Sequence, residues 1–398
     1  MDLVAPESAG FSSTRLERID AHMNGYVEQG KLAGITAAIA RRGQLVYRQA
    51  FGLADREAGT PMSLDTLFRI YSMSKPITSV ALMMLYEQGR FLLRDPISRY
   101  IPAFKHTKVF VRQTDAGYEV ADLEREITIL DLLTHTSGLS YGFEPELRYV
   151  DRLYQARFWQ HQRRRQQDSL EAWISSLSTL PLAFQPGTAW NYSMATYVLG
   201  YLVQVLSDTP FDVYLQKEIF EPLGMPDTAF YVPADKVARF AANYGPAEDG
   251  GIQAIDAPAS SEYLNAGRVP SGGGGLVSTT GDYLRFAHML LNKGELDGVR
   301  LLGRKTFEWM TANHLPPNLH VWDEPTMGFG LGFGVCIGLG GQNVGSIGRY
   351  GWGGAATTRF WVDPQEALIG LFMTQFMPSG HYPIQDEFEV LTYQALVD

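Results

Sequence analysis

The sequence predicts an α/β (α+β) protein in which the two ends of the chain build one sheet and the middle is a mostly helical insertion. Three observations carry this. Residues 35–40 and 44–51 read as strands joined through Arg41-Arg42-Gly43, a hairpin signal near the start. Residues 356–362 and 367–374 read as strands near the end, separated by Asp363-Pro364. Between these two regions apolar residues recur mainly at helical spacing. The division expected is a discontinuous sheet domain, 1–75 with 270–398, and a mainly helical domain, 76–269, with the functional site where they meet.

Composition narrows the class. An apolar share of 45% with 40 glycines and 21 prolines describes a globular chain rich in turns, and 398 residues suffice for an ample core. A formal charge of −10 argues against a general nucleic-acid binder, and Arg163-Arg164-Arg165 reads as a solvated helix face. The single cysteine, Cys336, excludes an internal disulfide and a Cys-rich metal site. No apolar stretch approaches the roughly 20 residues that span a bilayer. Asp2 and Glu7 with no apolar core after them are unlike a secretory signal, so a cytoplasmic location is the default expectation.

Taken in order, Ser13 reads as the N-cap of an amphipathic helix with Leu16, Ile19, Met23 and Val27 on one face, ended by Gly30. After the hairpin comes Tyr71-Ser72-Met73-Ser74-Lys75-Pro76, followed by an apolar run over 77–86 that is apolar nearly all round, as in a helix buried between layers. Pro76 is tolerated only in a first turn, so this helix is expected to begin near Ser72, with Gly89 as its stop. Residues 130–135 read as helix ending in the turn Thr136-Ser137-Gly138, and 144–167 as a surface helix or flap. Further helices are expected over 169–177, over 194–206, after Thr209-Pro210 with Phe211, Tyr214, Leu215 and Ile219 inward, over 282–291 and over 386–396. Residues 246–275 read as a loop. Its Gly272 to Gly275 run lacks the G-x-x-x-x-G-K pattern of a phosphate cradle.

The chemistry concentrates at Ser72 and Lys75, three apart and therefore on one helix face. A serine hydroxyl is a weak nucleophile until a neighbour takes its proton, and a lysine can do so only when neutral. Burial and the positive end of a helix both push it that way. A competing pattern, Gly138-Leu139-Ser140-Tyr141-Gly142, matches G-x-S-x-G. A nucleophile elbow needs a strand before it and a helix after it, and neither 131–135 nor Phe143-Glu144-Pro145 reads that way.

Five stretches then stand in a familiar order: Ser72-Met73-Ser74-Lys75, the segment Leu132 to Leu139, Asn191-Tyr192-Ser193, Pro222-Leu223-Gly224-Met225, and Trp352-Gly353-Gly354. Together they resemble the serine β-lactamase and penicillin-binding fold over nearly the whole chain, and within it most closely the family VIII carboxylesterases, which are similar to class C β-lactamases. The resemblance implies a β-lactamase-like fold with an antiparallel sheet flanked by helices. It implies Ser72 as acylated nucleophile, Lys75 as its proton partner and Tyr192 as general base, a phenol whose ordinary pKa near ~10 needs a cationic neighbour, with Lys75 available. On its own Tyr192 would read as a half-buried structural tyrosine.

The resemblance also implies an oxyanion hole from the N–H groups of Ser72 and Ala355. Trp352, Gly353 and Gly354 occupy the position where β-lactamases carry Lys-Thr-Gly, and they read equally as a tight turn before a strand. The glycines would let an acyl group approach closely, with Trp352 as an apolar wall. Tyr141 matches an active-site aromatic of the esterases. Two residues after Tyr192, where β-lactamases have Asn, this chain has Met194. Loss of that amide and of the lysine shifts the expectation from penicillins to uncharged acyl esters. The function implied is a serine esterase acting on a small-molecule, short-chain ester through an acyl-enzyme on Ser72, with no metal and no organic cofactor. An acyltransferase of the same fold, a β-lactamase, peptidase or amide hydrolase, and a non-catalytic binding protein are the alternatives.

Overall fold

A computed structural model describes residues 3–159, 169–248, 250–340 and 344–398. Arg163-Arg164-Arg165 and the last part of the 144–167 segment lie outside the described residues. Among the described residues, no helix is long and apolar enough to cross a membrane.

Eight strands form one antiparallel sheet from both ends of the chain. Their order is Met327–Phe329, Gly334–Cys336, Tyr350–Gly354, Thr358–Asp363, Leu368–Thr374, Gly34–Arg41, Gln44–Asp55 and Thr60–Pro61. The first and last regions of sequence meet where Gly34–Arg41 pairs with Leu368–Thr374, Ile35 opposite Thr374 and Arg41 opposite Leu368. Every residue of Gly34–Arg41 is buried, because both faces of the sheet are covered. Alternate residues serve two cores. Ile35, Ala37, Ile39 and Phe372 pack towards the N-terminal helix Ser13–Glu28 and the C-terminal helix Ile384–Tyr393. Ala38, Ala40, Leu371 and Met373 face the larger core, which holds the helices Thr280–Leu291, Ser74–Glu87 and Ala195–Ser207. The hairpin turn at Arg42 and Gly43 has positive φ at both residues (52° and 77°), the geometry that matches strand twist.

Several local expectations shift. Ser12, not Ser13, caps the first helix, accepting from the Arg15 N–H at 3.3 Å, and Tyr26 replaces Val27 on its buried stripe. The helix expected from Ser72 starts as an α-helix at Ser74; Tyr71–Met73 is a separate 3₁₀ turn. Tyr71, at the head of that turn, sits at φ 40°, a left-handed conformation outside the α-helical region. The stretch 246–275 is not all loop: Ile252–Asp256 pairs with Asn243–Pro246. A second hairpin, Val109–Thr114 with Gly117–Ala121, left no expectation at all. Both of its faces are largely exposed, so no buried face imposes an alternating pattern.

Candidate active site

The turn that carries Ser72, Tyr71–Met73, is held by close backbone packing on two sides. On one side is the glycine run. Ile70 N–H donates to Leu276 O (3.1 Å), Leu276 N–H to Ser74 Oγ (3.2 Å) and Thr78 Oγ1 to Gly272 O (2.8 Å). A Cβ on Gly273 would lie 2.0 Å from the Tyr197 ring. The run is therefore glycine because it docks beneath the turn. On the other side is the strand Tyr350–Gly354, where a Cβ on Gly354 would meet Ile70 O at 2.5 Å. Gly354 thus admits the backbone that leads into the Ser72 turn, a reason the sequence did not suggest.

Lys75 is 1% exposed. Its Nζ lies 3.1 Å from Ser72 Oγ and donates to Gly273 O at 2.5 Å. Burial holds this amine well below the ordinary lysine range. In its neutral form it keeps two protons and one lone pair, one proton for Gly273 O and the lone pair for the Ser72 hydroxyl. Tyr192 runs the other way: burial raises its phenol above the usual tyrosine value, opposed by hydrogen bonds with Ser72, Trp352 and Tyr141. Lys75 Nζ stands over the Tyr192 ring, 4.7 Å from its centroid. Electrostatics in the resting site therefore favour a neutral amine beside a neutral phenol: the neutral lysine is what the Ser72 and Lys75 pair led us to expect, whereas the cationic neighbour that the resemblance implied for Tyr192 is not what burial favours.

Trp352 contributes more than a wall. Its Nε1–H donates to the Tyr192 hydroxyl at 3.2 Å. A second indole, Trp322, stacks on it with centroids 5.4 Å apart and 15° between planes. Trp322 and Asp323 both have left-handed backbones, φ 51° and 59°, at the point where this ring is presented. The strand Tyr350–Gly354 pairs outward with Gly334–Cys336 only as far as Gly351 among the described residues, so the edge at Trp352 to Gly354 is open towards the site. Ala355 begins the tight turn in which Thr357 N–H donates to Gly354 O (3.1 Å).

Ser72 and Ala355 sit between two cavities and line both. One, of about 580 Å³, is walled by Tyr141, Phe143, Trp173 and Tyr197. The other, of about 710 Å³, is walled by Tyr192, Trp322, Trp352 and Gly353. Tyr141 is 4% exposed and stacks against Phe143 at 4.7 Å. All eight residues singled out from sequence therefore meet in one region. Ser140 differs. Its Oγ donates to Asp151 (2.5 Å), whose carboxylate also accepts from Arg148 (2.9 Å) and from the Glu144 N–H (3.0 Å). Met194 is fully buried in the core at the start of the helix Ala195–Ser207.

A sheet of this order with a serine and a buried lysine at the foot of a central helix defines a serine hydrolase of the β-lactamase-like fold. The chain belongs to the Beta-lactamase family, whose model matches residues 19–394. Esterase EstB of Burkholderia gladioli is 34% identical to it over 282 residues, covering 67% of this chain and 68% of that protein. Among solved structures, simvastatin synthase LovD from Aspergillus terreus is similar at a TM-score of 0.82 and 25% identity, over 97% of this chain and 98% of that one. EstCE1, described as a hydrolase with promiscuous acyltransferase activity, is similar at a TM-score of 0.76 and 26% identity, over 95% and 99%.

Proposed function

We propose that this protein is a serine esterase that hydrolyses short-chain acyl esters through an acyl-enzyme on Ser72. The observation that carries the reading is the buried, neutral-leaning Lys75 amine 3.1 Å from a serine hydroxyl at the junction of two cavities. Ser72 Oγ attacks the ester carbonyl and its proton passes to Lys75. The oxyanion is held by the N–H groups of Ser72 and Ala355, and collapse expels the alcohol, which receives the proton through Tyr192. Water then enters by the same route in reverse and frees the acid. Because Tyr192 lines the cavity walled by Trp352, the leaving alcohol occupies that side and the acyl group the side walled by Tyr141 and Trp173.

Trp352 argues for uncharged substrates, whereas Met194, buried in the core and lining neither of the two cavities, offers a substrate nothing in place of the amide. A penicillin placed with its carboxylate against Trp352 would bury a charge beside an indole, and the two arginines that line the same cavity, Arg349 and Arg359, are already ion-paired with Glu389 and Asp386, so the cost is about several kcal/mol. Turnover of p-nitrophenyl acetate and butyrate is therefore expected to exceed that of nitrocefin by about 100-fold or more in kcat/KM. Comparable rates would overturn the assignment of substrate class. Acyl transfer is the second reading, favoured by the size of the alcohol-side cavity and by the likeness to LovD and EstCE1. Product ratios with added benzyl alcohol measure it: benzyl ester in excess of acid would make transfer the main activity.

A further inference from the structure

His135 touches the segment around Tyr192 in three places. The residue before Tyr192 donates its backbone N–H to His135 O (Asn191 N, 2.9 Å). The residue after it places Ser193 Oγ 3.1 Å from His135 Nδ1. Between these two, the imidazole packs on the Tyr192 ring with centroids 5.0 Å apart. One residue thus grips the chain on both sides of the phenol and backs the ring itself. His135 adopts φ 58°, a left-handed conformation in which histidine is enriched among non-glycine residues. It is 2% exposed, and burial with the nearby Lys75 pushes its imidazole well below the ordinary range, towards the neutral form.

We infer that His135 is a positioning residue that fixes the Tyr192 hydroxyl for proton delivery to the leaving alcohol. The inference rests on the role proposed above for Tyr192. Other ties of this segment, Asn191 Nδ2 to Leu139 O (2.9 Å), Arg148 to Asn191 Oδ1 (3.0 Å) and Met194 N–H to Ser140 O (3.3 Å), hold Asn191 and Met194; Tyr141, Trp322 and Trp352 also meet the ring, and His135 adds to their packing a hold on the residues that flank Tyr192 on both sides. A hydroxyl displaced by a fraction of an ångström still leaves a closed pocket and an intact nucleophile. What it loses is the short path for one proton.

Leaving-group dependence tests this. p-Nitrophenoxide departs near neutral pH without being protonated, whereas ethoxide does not. Ser193→Ala removes the side-chain grip, His135→Ala removes it with the ring, and His135→Asn keeps a residue that tolerates the left-handed backbone and can still accept from Ser193. Ser193→Ala is expected to lower kcat/KM, which reports acylation and not the deacylation of the common butyryl-enzyme, about tenfold more for ethyl butyrate than for p-nitrophenyl butyrate. His135→Ala is expected to lower the ratio further, and His135→Asn to recover part of it. Should His135→Ala fail to fold, Ser193→Ala and His135→Asn carry the measurement. Equal losses on the two esters, or none, in Ser193→Ala would overturn the inference. Tyr192→Phe separates the two levels of the argument. If it also shows no leaving-group dependence, the proton-delivery role of Tyr192 is wrong. If it shows that dependence while Ser193→Ala does not, His135 is merely structural.

Discussion

Two serines in this protein sit in short motifs associated with nucleophilic catalysis, and the structure treats them oppositely. Ser72 is half-buried between two cavities, and its neighbour is an amine that burial holds well below the ordinary lysine range. Ser140 is 1% exposed, and its hydroxyl is spent on Asp151, an ion-paired carboxylate that also accepts from Arg148 and the Glu144 N–H and so ties residues 140–151 together. The difference is in the company each hydroxyl keeps. A buried serine that already donates to a carboxylate shared with Arg148 cements a loop; a serine facing a lone pair and open space can attack. Motif spacing alone does not distinguish these.

The comparison breaks most severely if the wrong serine is silenced. Ser72→Ala is expected to remove ester turnover by about 10⁴-fold or more, whereas Ser140→Ala keeps kcat within about threefold. The second variant instead loses about 1–3 kcal/mol of unfolding stability, since Asp151 is left with one buried donor fewer, as denaturant melts would record. Next in size, Lys75→Ala and Tyr192→Phe should each cost about 10²–10⁴ in kcat, and the double variant little more than the worse single one. Multiplying losses would show that the two do not act as a unit.

The pH profile sharpens the contrast between a lysine that serves Ser72 and an ordinary surface amine. In the mechanism proposed above Lys75 works in its neutral form, and burial depresses its folded-state pKa, so kcat/KM is expected to rise with pH through that depressed value and to be level already well below the usual lysine range. Because the Tyr192 phenol is raised, no descending limb is expected up to about pH 10. A fall beginning near neutrality would mean that Tyr192 must stay protonated against a lower pKa than its environment implies. The smallest effect is expected from Trp352→Phe, which keeps the aromatic wall but deletes the Nε1–H donor to Tyr192. Loss of one neutral hydrogen bond, about 1 kcal/mol, corresponds to roughly fivefold in kcat.

Much of this was legible in the sequence because it is local or periodic. The i, i+3 spacing of Ser72 and Lys75, the unbroken apolar face of 77–86 and the two hairpins at the chain ends each depend on neighbours a few residues away. What was not legible joins distant residues. The Trp352 indole reaches Tyr192 across 160 positions, and His135 reaches Ser193 across 58. The left-handed φ of Tyr71, at the head of the 3₁₀ turn that carries Ser72, belongs to a residue type that gives no warning of it. The run Gly272 to Gly275 was visible as unusual, but its purpose, close docking against Thr78 and Tyr197, depends on a partner fold that no glycine encodes. The direction of the Tyr192 shift likewise came from burial, which sequence proximity to a lysine motif does not report.

The most direct test of the account is the site of covalent modification. Incubation with a fluorophosphonate, followed by intact mass and peptide mapping, is predicted to add one label, on Ser72. The label should be absent in Ser72→Ala and present in Ser140→Ala. A label on Ser140, or undiminished labelling of Ser72→Ala, would contradict the assignment of Ser72 as the nucleophile.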